Sequence, residues 1–345
     1  MEQKQRKTWL EVIRIIACFG VIYNHVFGYR FFDVPGIGGV MATYAFFLSK
    51  MAVPLFFMIS GILLLPREDS YKKNWQRIFR MAVVLVVMSV FYYGGDCLKN
   101  GESFNLTKLV TIILRWEPST AYWFLYRYLS ILVMLPILQR LVRDMERKDF
   151  HYYLAITAAA SCTLPIVRHL IPALGISQFL DLSAFSAYIG LMLAGLYMER
   201  YLHFTRRGGV IAAAGVMVCT AISVLLTRLD PQSFMWGMVV YDNCIYLPII
   251  LGSLCAFYLF LGVRSRMEGK TPGKGTATLQ TLGRYTFCVY LFSDFFIERG
   301  QGLLTLLKAW CTPYLGTLVY ALMVYALGLL LSAVMTRIPV IKKFL

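Results

Sequence analysis

The stretch TWLEVIRIIACFGVIYNHVFGY, residues 8–29, decides how the chain folds. It is long enough to cross a bilayer as one α-helix, because about 20 predominantly apolar residues span the hydrocarbon core. Yet it carries Glu11, Arg14, Asn24 and His25 inside the apolar run. Ionisable side chains within membrane spans usually face a cavity or a pathway rather than lipid. The stretch therefore predicts a membrane helix with one polar side.

Helical geometry places these polar side chains on a common face. At about 100° per residue, the eleven-residue step from Arg14 to His25 turns the helix by about 1100°, within about 20° of three full turns. Glu11 and Cys18 share this face, and the rise separates Arg14 from His25 by about 16 Å. In the simpler alternative, Glu11 and Arg14 neutralise each other near the cytoplasmic end and His25 lies at the other interface.

Composition places the whole chain in the membrane. Hydrophobic residues make up 59% and charged residues 15%, and the mean hydropathy is +0.64. These values are typical of a polytopic membrane protein rather than a soluble domain. We expect an all-α fold with about ten transmembrane helices, in a single transmembrane domain over residues 1–345 without a separate soluble domain. Hydropathy places the spans near 8–29, 39–65, 81–98, 120–138, 152–172, 182–199, 209–227, 243–263, 285–305 and 314–335.

The distribution of basic residues predicts the orientation. If the amino terminus is cytoplasmic, the inner segments hold 23 of the 34 Lys and Arg residues, and the outer segments hold eight. The positive-inside rule then predicts that both termini are cytoplasmic. The net charge of +16 is explained by this topology and by attraction to anionic membrane lipid, and no nucleic-acid-binding module is visible. The first apolar run is long and lacks a small-residue cleavage site, so we expect it to stay as an anchor.

Cysteine and histidine usage does not indicate a metal site. The eight cysteines are scattered without a C-x-x-C pair, so neither a disulfide framework nor a zinc site is expected. Three of the four histidines, His151, His169 and His203, lie near predicted span ends. Solvated loop charge is the default interpretation for the charged residues at the outer ends of spans five to eight, which are Arg168, His169, Asp181, Asp230 and Asp242.

The second span combines a cation with a helix breaker. Lys50 is followed at residues 52–66 by AVPLFFMISGILLLP, in which Pro54 should kink the helix. A cation at this depth favours a carboxylate partner or a polar cavity. Ser60 and Gly61 form a small pair that permits close helix approach, and packing of an ordinary kinked span would explain this pair equally well.

Three later stretches carry further candidate side chains. Arg77 and Arg80 are one helical turn apart in KKNWQRIFRM, and guanidinium groups bind phosphate oxygens in a fork. Alone, such a pair is more often simple positive-inside charge. Trp123 and Arg127 lie near the outer end of the fourth span, where the neighbouring aromatic residues would also suit an interfacial belt. Asp294 lies within the ninth span, where it would also suit a plain intramembrane ion pair.

These motifs, taken in order, resemble the acyltransferase 3 family of membrane O-acyltransferases. The first span has a Leu-acidic-x-x-Arg pattern at residues 10–14, followed after ten residues by His25. A basic residue precedes V-P-x-F-F-x-x-S-G at 53–61, R-x-x-R follows at 77–80, and W-F-L with a later L-P-I-L occupies the fourth span. In the family's closing motif a Tyr-Leu pair is commonly followed by His. This chain departs from that pattern, because Ser293 and Asp294 follow Tyr290-Leu291-Phe292.

The resemblance implies an enzyme of a bacterial plasma membrane that crosses the membrane several times. It would move an acyl group, in the first place acetyl, from cytoplasmic acyl-coenzyme A to a hydroxyl of an extracytoplasmic glycan or lipid-linked sugar, without a metal. His25 would act as the general base, because a neutral imidazole has a pKa near the working pH. The resemblance assigns the donor phosphates to Arg77 and Arg80. Arg14 would help to hold the nucleotide, because its separation of about 16 Å from His25 along the first helix is close to the reach of a pantetheine arm.

The remaining site residues take supporting roles in this hypothesis. Lys50 or Arg127 would stabilise the tetrahedral oxyanion or position the acceptor. Asp294 would orient His25 or pair with Lys50. The substrate and oxyanion set is completed by Glu11, Ser60, Trp123 and Tyr290.

The sequence leaves two questions of mechanism and class open. The acyl group could pass directly to the acceptor, or first be carried covalently on His25 or a nearby Ser or Tyr. A hypothesis from a different class is a carrier or exporter of a small polar solute that uses the same buried charges as its binding site. A third is a structural or sensory membrane protein without turnover. The acceptor sugar and the oligomeric state are not determined by the sequence.

Overall fold

The structure, a computed structural model, describes residues 7–27, 36–115, 118–177, 185–230, 246–269, 273–342 and 344. It is 87% helical and has no strand among these residues, which confirms the all-α prediction. The helices are α1 Thr8–Phe27, α2 Gly36–Lys50, α3 Ala52–Leu64, α4 Tyr71–Asn100, α5 Leu106–Arg115, α6 Trp123–Asp144, α7 Arg147–Ile156, α8 Leu164–Leu170, α9 Ala187–Tyr201, α10 Arg206–Leu229, α11 Leu247–Met267, α12 Lys274–Arg299, α13 Gln301–Trp310, α14 Pro313–Met335 and α15 Pro339–Lys342. Short 3₁₀ turns cover Thr120–Tyr122 and Pro172–Leu174, and a π-helix covers Thr157–Thr163.

Eight helical segments in the described part of the chain are long and apolar enough to cross a membrane. Each coincides with one of the ten predicted spans. The other two predicted spans coincide with α9, which has 15 described residues, and with α12, which has 26 residues but is less apolar. Residues 28–29, 182–184 and 243–245 of the predicted spans, and the charges of Asp181 and Asp242, lie outside the described residues. The eight segments are Thr8–Val26, Gly36–Leu64, Tyr71–Asn100, Trp123–Asp144, Arg147–Leu170, Arg206–Leu229, Leu247–Met267 and Tyr314–Met335.

The chain divides into two compact units, each built from segments that are separated in sequence. The first unit comprises Met1–Pro66 and Arg143–Arg284, and the second comprises Arg67–Val142 and Tyr285–Leu345. The amino-terminal part of α12 therefore belongs to the first unit and its carboxy-terminal part to the second.

Close helix packing in the first unit depends on two glycines that face each other's helix. A Cβ atom on Gly61 of α3 would lie 2.5 Å from the carbonyl carbon of Met192 in α9. A Cβ atom on Gly195 of α9 would lie 2.6 Å from Cα of Met58 in α3. Small residues let helix backbones approach closely in a membrane, where lipid supplies no hydrophobic force between helices. The sequence prediction of a close approach at Gly61 is confirmed.

The predicted kink at Pro54 is an interruption of the second span. Helix α2 ends at Lys50 and α3 begins at Ala52, with Met51 between them. Because proline has no N–H group, Pro54 cannot donate to the Lys50 carbonyl four residues earlier. At the junction itself, the Met51 amide donates to the carbonyl three residues earlier, that of Leu48, at 3.3 Å. The Lys50 ammonium, at the carboxy-terminal end of α2, lies 4.9 Å from the centre of the Phe46 ring, and a cation is electrostatically favoured at such an end.

Residues predicted for one side of the membrane contact each other within each unit. In the first unit, Lys7 Nζ lies 2.5 Å from Glu199 Oε1, and Arg264 Nη1 donates to the Glu199 carbonyl at 2.8 Å. In the second unit, Arg77 Nη1 lies 2.6 Å from Asp69 Oδ2. The two contacts of Glu199 join the ends of different predicted spans and agree with their alternation, whereas Asp69 and Arg77 lie in one predicted inner segment. The assignment of this side to the cytoplasm stays a prediction.

Candidate functional site

The polar face of α1 points into the first unit. The helix is unbroken from residue 8 to residue 27, so the spacing of Arg14 and His25 follows regular helical geometry. Glu11 is 2% exposed, and Arg14 and His25 are half-buried. On the opposite side of the helix, Ile16 is 50% exposed. The burial of Glu11 and the exposure of Ile16 agree with the predicted orientation of the polar face.

Glu11 and Arg14 form an ion pair on this face. Both carboxylate oxygens of Glu11 lie 3.1 Å from Arg14 Nη1. The carboxylate fits against α12 because residue 283 is glycine: a Cβ atom on Gly283 would lie 2.8 Å from Cβ and 2.9 Å from Cδ of Glu11. One turn earlier on both helices, the Gln280 amide donates to Thr8 Oγ1 at 3.1 Å. The two helices thus run in the same direction here. This is predicted for the first and ninth spans, because successive spans cross the membrane in alternating directions.

The other end of α1 is held against the interrupted second span. The Asn24 side-chain amide donates to Ser49 Oγ at 3.0 Å and lies 3.4 Å from the Phe46 carbonyl. A Cβ atom on Gly20 would lie 3.1 Å from Cβ of Ala52, so this contact also depends on a glycine. The contacts place the last turn of α1, which carries His25, beside the α2–α3 junction.

The first turns of α4 carry an ion-pair network around a buried carboxylate. Asp69 is 4% exposed, and its oxygens lie 2.6 Å from Arg77 Nη1 and 2.8 Å from Lys73 Nζ. Burial alone would raise the pKa of Asp69, but hydrogen bonds from Arg77 and Lys73 outweigh it, and the pKa lies well below its usual range. Arg77 is therefore paired with a carboxylate that is charged at neutral pH.

Arg80 has a different environment from Arg77, although the two are one turn apart. Its side chain is exposed, and its Nε donates to the Phe344 carbonyl at 3.1 Å. The predicted pair therefore combines a fixed, neutralised arginine with an exposed one. Its assignment to a phosphate-bearing donor stays a prediction.

Asp294 lies on α12 in the second unit and is 5% exposed. Its Oδ2 accepts a short hydrogen bond from the Ser119 hydroxyl and a second from the Ala121 amide at 3.2 Å. The expectation that Asp294 orients His25 or pairs with Lys50 stays a prediction.

Tyrosine hydroxyls bind the backbone of α12 one turn from this carboxylate. Tyr122 donates to the Leu291 carbonyl at 2.6 Å. The Tyr92 hydroxyl donates to the same carbonyl at 3.2 Å and accepts from the Phe295 amide at 2.9 Å. In a regular α-helix this amide and this carbonyl are a hydrogen-bonded pair. The hydroxyl of Tyr92 thus bridges two backbone groups of α12 beside Asp294.

The remaining predicted site residues lie in several environments. The Tyr290 hydroxyl donates to the Ala121 carbonyl at 2.6 Å. Trp123, the first residue of α6, is half-buried, and Arg127 one turn later is exposed. The Ser60 hydroxyl donates to a carbonyl of its own helix, that of Phe56, at 2.8 Å. Of these residues, Tyr290 contacts the turn at residues 119–121, which also binds Asp294.

Comparison with known proteins identifies the family. Residues 7–337 match the model of the acyltransferase domain family, Acyl_transf_3. The chain belongs to the acyltransferase 3 family. It is therefore a membrane acyltransferase, as the motifs predicted. Neither the comparison with curated proteins nor that with solved structures gave a match.

Several residues around the candidate groups of the acyltransferase were missed by sequence reasoning. Asp69, Ser119 and Gly283 each contact a predicted site residue, yet none belongs to a recognisable motif. The one available signal was an isolated glycine inside a helical pattern at residue 283, which often has a packing reason. Among the described residues, no three His, Cys, Asp or Glu side chains are grouped as a metal site requires.

Proposed function

We propose that the acyltransferase transfers an acyl group, most simply acetyl, from cytoplasmic acyl-coenzyme A to a hydroxyl of an extracytoplasmic glycan or lipid-linked sugar. We assign it to the plasma membrane of a bacterium. The observation that carries the proposal is the polar face of α1, where an ion pair of buried Glu11 and half-buried Arg14 is followed after about 16 Å of helix by His25.

His25 is the proposed general base. An alcohol attacks a thioester poorly unless a base removes its proton, and an imidazole is suited to this near neutral pH. The acceptor oxygen bonds to the thioester carbonyl carbon, the proton passes to His25, and the C–S bond then breaks. The thiolate of coenzyme A leaves and takes up a proton. Lys50, at the α2–α3 junction beside this end of α1, is a candidate to stabilise the tetrahedral oxyanion, and Arg127 is a candidate to position the acceptor.

The arginines are the proposed contacts of the donor. A guanidinium has five N–H donors, so pairing with one carboxylate leaves capacity for phosphate oxygens. Glu11 holds Arg14 and Asp69 holds Arg77, which reduces the side-chain entropy that binding would cost. Arg80 supplies exposed positive charge. We assign the buried carboxylate of Asp294 to the catalytic set, as a group that stabilises an imidazolium or positions a cation.

The test measures two properties of the purified protein. One is binding of acetyl-coenzyme A, and the other is its hydrolysis, which is detected as the release of free thiol. His25→Ala should lower the rate by about 10² to 10⁴-fold, the usual contribution of a general base. His203→Ala, which alters an exposed histidine, should leave the rate unchanged. Arg77→Ala should weaken donor binding by about tenfold to a hundredfold. Arg67→Ala, an exposed arginine of the same predicted inner segment, is its control.

Two outcomes would contradict the proposal. Unchanged hydrolysis in His25→Ala would exclude the imidazole as the base. Solute flux into vesicles that survives His25→Ala, together with no binding of acetyl-coenzyme A, would favour the carrier hypothesis instead.

A further inference from the structure

The turn at residues 119–122 is joined to α12 by a set of hydrogen bonds that no motif predicted. Ser119 and Asp294 are 175 residues apart in sequence, and both are buried, at 5% exposure each. The Ser119 hydroxyl and the Ala121 amide both donate to Oδ2 of Asp294. Two donors thus converge on one carboxylate oxygen.

Chemistry restricts the hydrogen-bonding roles in this set. A backbone amide can only donate, so the oxygen that receives the Ala121 N–H acts as an acceptor. The same amide lies 3.4 Å from Ser119 Oγ. The Ser119 hydroxyl can accept from this amide and at the same time donate its own proton to Asp294. Hydrogen bonds to a charged carboxylate favour the charged form, and they offset the cost of burying it.

We infer that Ser119 is a positioning residue of the acyl-transfer site, which holds Asp294 charged and at one place on α12. The inference rests on the proposed function, in which Asp294 belongs to the catalytic set. Ser119 also caps the 3₁₀ turn, and a purely structural role would change the stability of the protein without changing the ionisation of Asp294.

A test must distinguish the titration of Asp294 from the titration of other ionisable groups near it. Asp294 interacts electrostatically with Tyr92 of α4, Tyr122 of the turn and Glu298 one turn further along α12. Tyrosine ordinarily titrates near pH 10, far from an acid limb. Glu298 is therefore the group that a control must exclude.

The experiment measures the pH dependence of kcat for acetyl-coenzyme A hydrolysis. Ser119→Ala removes one hydrogen bond to a charged group, so the acid limb should move to higher pH by about one to two units. KM should stay unchanged, and Ser119→Thr should restore the profile. Ser89→Ala, a buried serine that donates to the Leu85 carbonyl of its own helix, should keep the acid limb of the unaltered protein. Glu298→Gln removes a like charge near Asp294, so it should not move the acid limb to higher pH.

A second measurement follows the carboxyl group directly. The infrared band of a protonated Asp294, identified by its loss in Asp294→Asn, should appear at higher pH in Ser119→Ala than in the unaltered protein. If the band and the acid limb do not move in Ser119→Ala, or move equally in Ser89→Ala, the inference is overturned. Hydrolysis that still depends on His25 would in that case leave the proposed function standing. Absence of any His25-dependent hydrolysis would overturn the proposed function and the positioning role with it.

Discussion

Replacement of Gly61 by alanine sets two opposing effects against each other. In a helix interior alanine is favoured over glycine by about 1 kcal/mol. At Gly61, however, the new Cβ atom would lie 2.5 Å from the carbonyl carbon and 2.7 Å from Cα of Met192, where ordinary contact is 3.4–4 Å. The obstacle is helix backbone, so α3 and α9 must move apart to admit the Cβ atom. Overpacking of this kind costs about 1 to 3 kcal/mol and occasionally more, and we expect a net destabilisation of about 2 kcal/mol.

The assay is thermal unfolding of the purified protein in detergent, with Gly94→Ala as the matched control. Gly94 lies in the membrane helix α4 and a Cβ atom there would meet nothing within 4 Å. Gly61→Ala should therefore lower Tm, whereas Gly94→Ala should leave it unchanged or raise it. Gly195→Ala presses on the same interface, so the double variant with Gly61→Ala should cost less than the sum of the single variants. Equal Tm values for Gly61→Ala and Gly94→Ala would refute the reasoning.

Two further predictions concern the ion pairs. Asp69→Asn should destabilise the protein at pH 7 by about 1 to 3 kcal/mol, because the Arg77 ion pair is lost. The pKa of Asp69 is lower in the folded than in the unfolded chain, so its contribution to stability is present above about pH 4 and is lost as pH falls further. The free energies of unfolding of the unaltered protein and of Asp69→Asn, measured against pH, should therefore converge in acid. A constant difference between the two would contradict this. Gly283→Ala should displace Glu11 and weaken acetyl-coenzyme A binding about tenfold, as measured by calorimetry. The control is Gly275→Ala in the same helix, where the new Cβ atom meets open space and the affinity should not change. Equal affinity in both variants would exclude the Glu11 contact as a support of the donor site.

Features set by neighbouring residues were predictable from the sequence. The all-α fold follows from long apolar runs, because a backbone in lipid must satisfy its own hydrogen bonds. The inward face of α1 follows from the helical period, which places Glu11, Arg14 and His25 on one side. The interruption at Met51 follows from the missing N–H of Pro54. Each of these needs no knowledge of a distant partner.

The family resemblance was also readable from the sequence, since its motifs are local patterns in a fixed order. The number of spans does not follow from hydropathy alone, because a helix such as α12, which carries Asp294, is long but only moderately apolar. Hydropathy alone does not separate such a helix from a true span.

The tertiary structure decided which distant residues meet. The pairing of Ser119 with Asp294, of Glu11 with Gly283 and of Gly61 with the backbone at Met192 joins residues more than a hundred positions apart. Such contacts depend on how whole helices pack, and a sequence period describes only one helix at a time. The sequence alone therefore determined that this chain folds into membrane helices with buried charge, and packing alone decided which partner holds each charge in place.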